Sequence, residues 1–211
     1  MRIFPSIVAK NQAELDFLLK KLRGVAPTLH LDVVDGKFAY NNSLHFKFKL
    51  NKNFKYNLHL MVNDPVHWIQ NNCVHLVKPE LIISQFETVK EKEKYISEMK
   101  NNGMKIAFSI TPETTVAKLK PYLSKVDYVL VLTVHPGFYG GKYLKQELKK
   151  IPLIKKINHR IKVIVDGGMN PVTIKDAAKA GADYFVSGSF VSKADDPKKA
   201  IKMLEKAISN R

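Results

Sequence analysis

The sequence predicts an α/β fold, a (β/α)8 TIM barrel, and three observations carry that expectation. Eight short apolar runs alternate along the chain with seven or eight segments of helical periodicity, and strict alternation with buried strands calls for an all-parallel sheet. The 211 residues fit eight strand–helix units at the small end of the barrel size range. An open doubly wound sheet would want a glycine-rich turn after the first strand, and Pro5-Ser6-Ile7-Val8-Ala9 is not one. No repeat, linker or low-complexity stretch marks a second unit, so residues 1–211 read as a single barrel domain.

The elements follow in order. Ile3–Val8 reads as the first strand, and Asn11 caps a helix whose apolar positions Leu15, Leu18, Leu19 and Leu22 recur at helical spacing up to Gly24. The second strand, from Thr28 to Asp35, carries His30 and Asp32 before Gly36. Between Phe38 and Lys55 the chain is least regular; Leu44, Phe46, Phe48 and Leu50 alternate with polar residues, which favours an extended segment. Asn57–Val62 is a strand carrying His59, and Asp64-Pro65 opens a helix in cap-then-proline order. Glu80–Phe86 is a strand, Thr88–Asn102 a charged helix stopped by Gly103, and Met104–Ile110 a strand. Thr111-Pro112 leads into a helix ending near Leu123, and Asp127–Val134 is an almost wholly apolar strand. A loop from His135 to Gly141 precedes a helix to about Ile157, and a strand from Ile161 ends at Asp166. Asn170-Pro171 starts a helix to Gly181, Tyr184–Ser187 is the eighth strand, and a last helix closes the chain.

Composition excludes several classes of function. No apolar run approaches the roughly 18 residues that span a bilayer, and the first residues lack the long apolar stretch of a signal peptide. The single Cys73 rules out an internal disulfide and any multi-cysteine zinc site. A cytoplasmic protein with no membrane association is the expectation. The net charge of +16 invites a nucleic-acid reading. Its carriers are nearly all lysines spread over every helical segment, with arginine only at Arg2, Arg23, Arg160 and Arg211. Solvated helix faces account for that distribution better than a nucleic-acid surface, and the charge still helps draw in an anionic substrate.

The chemistry concentrates on strand ends. Alternate strand residues share a face, so His30, Asp32 and Val34 point one way while Leu31 and Val33 point the other. An imidazole and a carboxylate on one buried face need compensation. In a barrel, strand C-termini converge on the active face, where His30, Asp32, His59 and Asp166 would form a two-histidine, two-carboxylate site. Such donors suit one divalent metal ion: Zn²⁺, Fe²⁺, Mn²⁺ or Co²⁺. Taken singly, each is as easily a hydrogen-bonded core group; four together on strand ends favour the metal. Gly137 and Gly140-Gly141, Gly167-Gly168, and Gly188-Ser189 follow three successive strands. Glycines in such loops let backbone N–H groups approach an anion, so a phosphate grip is expected there. A metal, two acids and a phosphate grip point to proton transfer beside the carbonyl of a sugar phosphate. Acids on opposite faces of a planar intermediate would invert the carbon between them.

These residues resemble the ribulose-phosphate 3-epimerase family over nearly the whole chain. The resemblance rests on Pro5-Ser6-Ile7, His30-Leu31-Asp32-Val33-Val34-Asp35-Gly36-Lys37-Phe38, His59-Leu60-Met61, Pro136-Gly137-Phe138, Val165-Asp166-Gly167-Gly168, and Gly181-Ala182-Asp183 with Gly188-Ser189. It implies a barrel of the ribulose-phosphate-binding type and an isomerase of the pentose phosphate pathway, acting between D-ribulose 5-phosphate and D-xylulose 5-phosphate. It also implies His30, Asp32, His59 and Asp166 as metal ligands and Asp32 and Asp166 as the acid/base pair. Ser6, His59 and Met61 would contact the sugar. Gly137, Phe138, Tyr139, Gly140, Gly167, Gly168, Gly188 and Ser189 would hold the phosphate. A homo-oligomer is implied as well.

The chain departs from the family pattern in several places. Val34 and Leu132 stand where methionines are usual, and Gln85 where a histidine is usual. His135 replaces a usual Asn or Glu, Tyr139 a glycine, and Gly141 a glutamine; the Leu44–Lys55 segment is shorter. None removes a ligand or an acid. Two other readings stay open: a 3-epimerase of a related ketose phosphate such as D-allulose 6-phosphate, and a non-catalytic, basic, nucleic-acid-binding descendant. Aldol or decarboxylating barrels fit less well, because their Asp-x-Lys-x-x-Asp signature is absent.

Overall fold

The computed structural model describes residues 2–73, 76–136 and 141–209. Eight parallel strands close into a barrel: β1 (Ile3–Ile7), β2 (Thr28–Asp35), β4 (Lys55–Met61), β5 (Leu81–Gln85), β6 (Lys105–Ile110), β7 (Tyr128–Leu132), β8 (Lys162–Asp166) and β9 (Tyr184–Ser187). Closure comes from β1, which pairs with β9 on one side and with β2 on the other. A two-residue strand, β3 (Asn42–Ser43), adds antiparallel to the end of β2. The helices are α1 (Gln12–Lys21), α2 (Pro65–Asn72), α3 (Lys92–Asn101), α4 (Val116–Leu119), α5 (Lys150–Ile157), α6 (Thr173–Lys179), α7 (Ser189–Ser192) and α8 (Pro197–Ser209).

Alternation along each strand divides the core in two. Leu29, Leu31 and Val33 of β2 face outward into the layer between barrel and helices, with Leu58 and Leu60 of β4 beside them. The inner face is apolar at one end, where Leu81, Ile83, Ala107, Leu130, Ile164 and Val186 pack together with Phe4 stacked on Tyr184. This plug leaves the other end of the interior to polar side chains. His30 and His59 are fully buried there and Asp32 nearly so.

Local chemistry sets the element ends. Asn11 accepts a hydrogen bond from Glu14 N at 2.9 Å, and Glu14 reaches back to Lys10 N at 2.8 Å, so both side chains satisfy N–H groups around the start of α1. Asp64 caps α2 through His67 N at 3.0 Å, with Pro65 at its first position. The expected single C-terminal helix is two: α7 ends at Ser192, and Asp196-Pro197 restarts the chain as α8, Asp196 accepting from Lys199 N. The helix expected after Thr111-Pro112 is shortened to α4 and a 3₁₀ turn, Lys120–Tyr122, that contains Pro121. The one expected before Ile157 begins as a 3₁₀ turn over Lys145–Lys149.

The segment after β3 keeps the alternation read from sequence but forms no ladder. Leu44 and Phe48 are buried and Phe46 and Leu50 half-buried, while His45, Lys47 and Lys49 are exposed. In place of a neighbouring strand, the Gln12 amide accepts from Lys49 N at 2.9 Å and donates to Lys49 O at 3.2 Å. Period-2 burial therefore reported an extended chain over a core, and the backbone partner is a side chain.

Candidate active site and metal centre

β2 and β4 run in register with Asp32 opposite His59, and β1 sets Ser6 opposite His30. His30 and Asp32, two apart on one strand, share the inner face. Asp166 is the last residue of β8 and joins them from the far side of β9 and β1. The four ligand atoms lie within 4.8 Å of one another. His30 Nε2 and His59 Nδ1 are 3.2 Å apart. Asp32 Oδ1 is 3.3 Å from each of those nitrogens, and Asp166 Oδ2 is 3.5 Å from His59 Nδ1 and 3.9 Å from His30 Nε2.

This arrangement fits a divalent cation. Donors about 2.05 Å from a tetrahedral zinc would stand about 3.3 Å from one another, close to the spacings observed. The chemistry agrees: two carboxylates and two imidazole nitrogens carry a surplus of negative charge in a buried setting, where an uncompensated charge costs several kcal/mol. Without a cation a proton fills the role. Burial opposes charge on the His59 imidazole, yet Asp166 and Asp32 beside it push its pKa up to about 9. Burial likewise opposes charge on Asp32, but the neighbouring His30 and His59 hold its carboxyl well below the usual range.

A cavity of about 380 Å³ opens above the cluster. Asp32 and Asp166 reach it, their side chains 11% and 16% exposed, while both imidazoles sit beneath. Ser6, Met61, Gly167, Gly168, Gly188 and Ser189 line it as expected, together with Val34 and Leu132. Its described lining contains no lysine or arginine. Gly137, Phe138, Tyr139 and Gly140 lie outside the described residues.

The glycine pair after β8 is required by shape. Gly167 has φ +116°, and a Cβ there would meet Val134 Cγ2 at 2.7 Å. Thr133 locks this turn, its hydroxyl donating to Asp166 O at 3.0 Å and Gly167 O at 2.7 Å. Glu87 ties the loops after β5 and β6 together by accepting from Thr111 N, Thr111 Oγ1 and Thr114 Oγ1.

Sequence reasoning missed some of the site. Asn41, Ser43 and Asn170 also line the cavity; Asn41 and Asn170 lie in loops and Ser43 in the two-residue β3, all too short or irregular to show a periodicity from which to place them. Gln85, whose amide stands 2.9 Å from His59 Nε2, was within reach: it is two residues beyond Ile83 on β5 and so shares the barrel interior.

Solved structures of similar shape include a KGPDC from Streptococcus mutans, with a TM-score of 0.70 at 13% identity over 99% of this chain and 97% of that one. Another is the 3-hexulose-6-phosphate synthase from Salmonella typhimurium, with a TM-score of 0.68 at 13% identity over 100% and 99%. At that identity they speak to fold alone. Sequence relatives say more. Proteins named ribulose-phosphate 3-epimerase from Schizosaccharomyces pombe and Helicobacter pylori are 30% and 31% identical, covering 98% and 97% of this chain and 93% and 97% of their own. The model of the ribulose-phosphate 3 epimerase family matches residues 2–192. With a two-histidine, two-carboxylate cluster at the barrel mouth and relatives that align along almost its full length, the chain belongs to the ribulose-phosphate 3-epimerase family, a family of isomerases.

Proposed function

We propose that this protein interconverts D-ribulose 5-phosphate and D-xylulose 5-phosphate by moving a proton on and off carbon 3. One observation carries the reading: Asp32 and Asp166 share a buried, cation-ready cluster and both reach the same cavity. A divalent cation held by His30, Asp32, His59 and Asp166 would supply electrostatic stabilisation for the charge that develops when a proton leaves beside a carbonyl. Each carboxylate meets the imidazoles through one oxygen, Asp32 Oδ1 and Asp166 Oδ2, which leaves a second oxygen to carry a proton. One acid withdraws the carbon 3 proton to give a planar enediolate, and the other returns a proton to the opposite face. Val34, Met61 and Leu132 present apolar surface to that intermediate and keep bulk water from it.

We assign the phosphate to the loops after β8 and β9. Their carbonyls are engaged elsewhere: Gly168 O accepts from Thr173 Oγ1, and Gly188 O from Val191 N and Ser192 N. That leaves backbone N–H groups as the donors for an anion. The relevant partner is a small sugar phosphate rather than a nucleic acid, and the cytoplasm is its setting. No helix among the described residues is long and apolar enough to cross a membrane, and a relative from Oryza sativa, 31% identical, is named a cytoplasmic isoform. Incubation with ribulose 5-phosphate in deuterated water tests the proposal. Deuterium should enter carbon 3 as xylulose 5-phosphate forms, and a chelator should stop both. Inversion without label would refute it.

A further inference from the structure

The Gln85 side chain is fully buried on β5, with its amide Nε2 2.9 Å from His59 Nε2. Its Oε1 is buried and has no partner. A buried polar atom left unpaired costs roughly 1–3 kcal/mol, so the orphaned amide oxygen calls for a cause. His59 supplies it. Its Nδ1 is the atom that faces the carboxylates and His30; if Nδ1 offers its lone pair to a cation, the ring hydrogen must sit on Nε2. An N–H at that position needs an acceptor, which Nε2 of the amide is not. A half-turn of the amide places Oε1 against His59.

We propose that Gln85 is a positioning residue for the cation cluster, accepting the His59 Nε2–H through Oε1. It thereby fixes His59 in the tautomer whose Nδ1 lone pair faces the other three donors. Outer partners of this kind orient ligating imidazoles and raise their basicity, and their loss typically costs 10–100-fold in metal affinity. The inference rests on the reading of the cluster as a metal centre.

The test measures Zn²⁺ affinity by chelator competition in the whole protein, for wild type, Gln85→Leu and Gln85→Glu, with thermal unfolding of each metal-free form as a check on folding. Gln85→Leu, which has no acceptor, should bind zinc about 10–100-fold more weakly. Gln85→Glu, which keeps one, should bind at least as tightly as wild type. In ¹⁵N spectra of the zinc-loaded wild type, His59 should carry its hydrogen on Nε2. Equal affinity of Gln85→Leu and wild type would overturn the role of Gln85 and leave the metal centre standing. So would an equal loss in Gln85→Leu and Gln85→Glu, since shape alone would then be responsible. A wild type that binds no zinc, manganese, iron or cobalt would overturn the metal centre itself and this inference with it.

Discussion

Replacing one acid at a time separates a two-acid inversion from any single-base scheme. Asp32→Asn and Asp166→Asn keep the side-chain shape and still present an oxygen to the cluster, so the change is confined to charge and proton capacity. A lost acid/base group typically costs 10²–10⁴ in rate, equivalent to about 3–5 kcal/mol of barrier. The site geometry supports the full penalty, because Asp32 and Asp166 are the two acidic side chains among the described residues lining the cavity. The variants should also differ from each other. With one acid gone, the survivor can still remove the carbon 3 proton from its own face and, after exchange with solvent, return it to that face. Each variant should thus wash deuterium into one epimer without inverting it, and the favoured epimer should switch between the two. Proton NMR of both sugar phosphates in deuterated water reads exchange and inversion together, with metal content measured alongside. Inversion within about tenfold of wild type in either fully metal-loaded variant would refute the reasoning. So would both variants exchanging the same epimer.

Three further outcomes follow from other parts of the molecule. Removing the cation should lower the melting temperature, since a ligand at a hundred times its Kd contributes about 2.7 kcal/mol; differential scanning calorimetry with and without chelator checks this. Gly167→Ala should destabilise by about 2–5 kcal/mol, combining a disfavoured φ with a Cβ driven against Val134, as read from urea midpoints. Asp183 should contribute to acid stability. Burial pushes its carboxyl up, but Lys155, the Val163 N–H and Lys162 together hold it below the usual value. A depressed folded pKa stabilises above the unfolded value near 4 and loses that contribution as pH falls through the folded one. Asp183→Asn should therefore cost more stability at pH 6 than at pH 2, a difference that urea titrations at the two values will show.

The barrel was legible because its strands are buried on both faces and read as continuous apolar runs. Helix boundaries were less so where proline and 3₁₀ geometry intervene, as at Pro121 and before Lys150. Asp196-Pro197 was readable in principle: an acidic cap followed by proline is the signature already recognised at Asp64-Pro65, and it splits the last helix in the same way. The Leu44–Leu50 segment shows the limit of period-2 reasoning. Alternate burial tells which residues face a core, but the hydrogen-bond partner there is Gln12, thirty-seven residues away, and no local pattern announces it.

The four cluster residues were legible for a different reason: a buried ionisable group on a strand is anomalous, and three strands carrying four such anomalies, two of them on β2, imply a common cause. What the sequence obscures is the division of electrostatic labour. A chain of net charge +16 builds a cavity whose described lining has no lysine or arginine. Lysine inside the mouth would compete for Asp32 and Asp166 as a counter-charge and would weaken their hold on a cation. Lysines on the solvated helices avoid that conflict, because their field still draws an anion toward the mouth over a Debye length of about 8–10 Å. On the proposed reading, recognition of the anion within would be left to uncharged backbone donors, which would leave the two carboxylates free to bind the cation and to move protons.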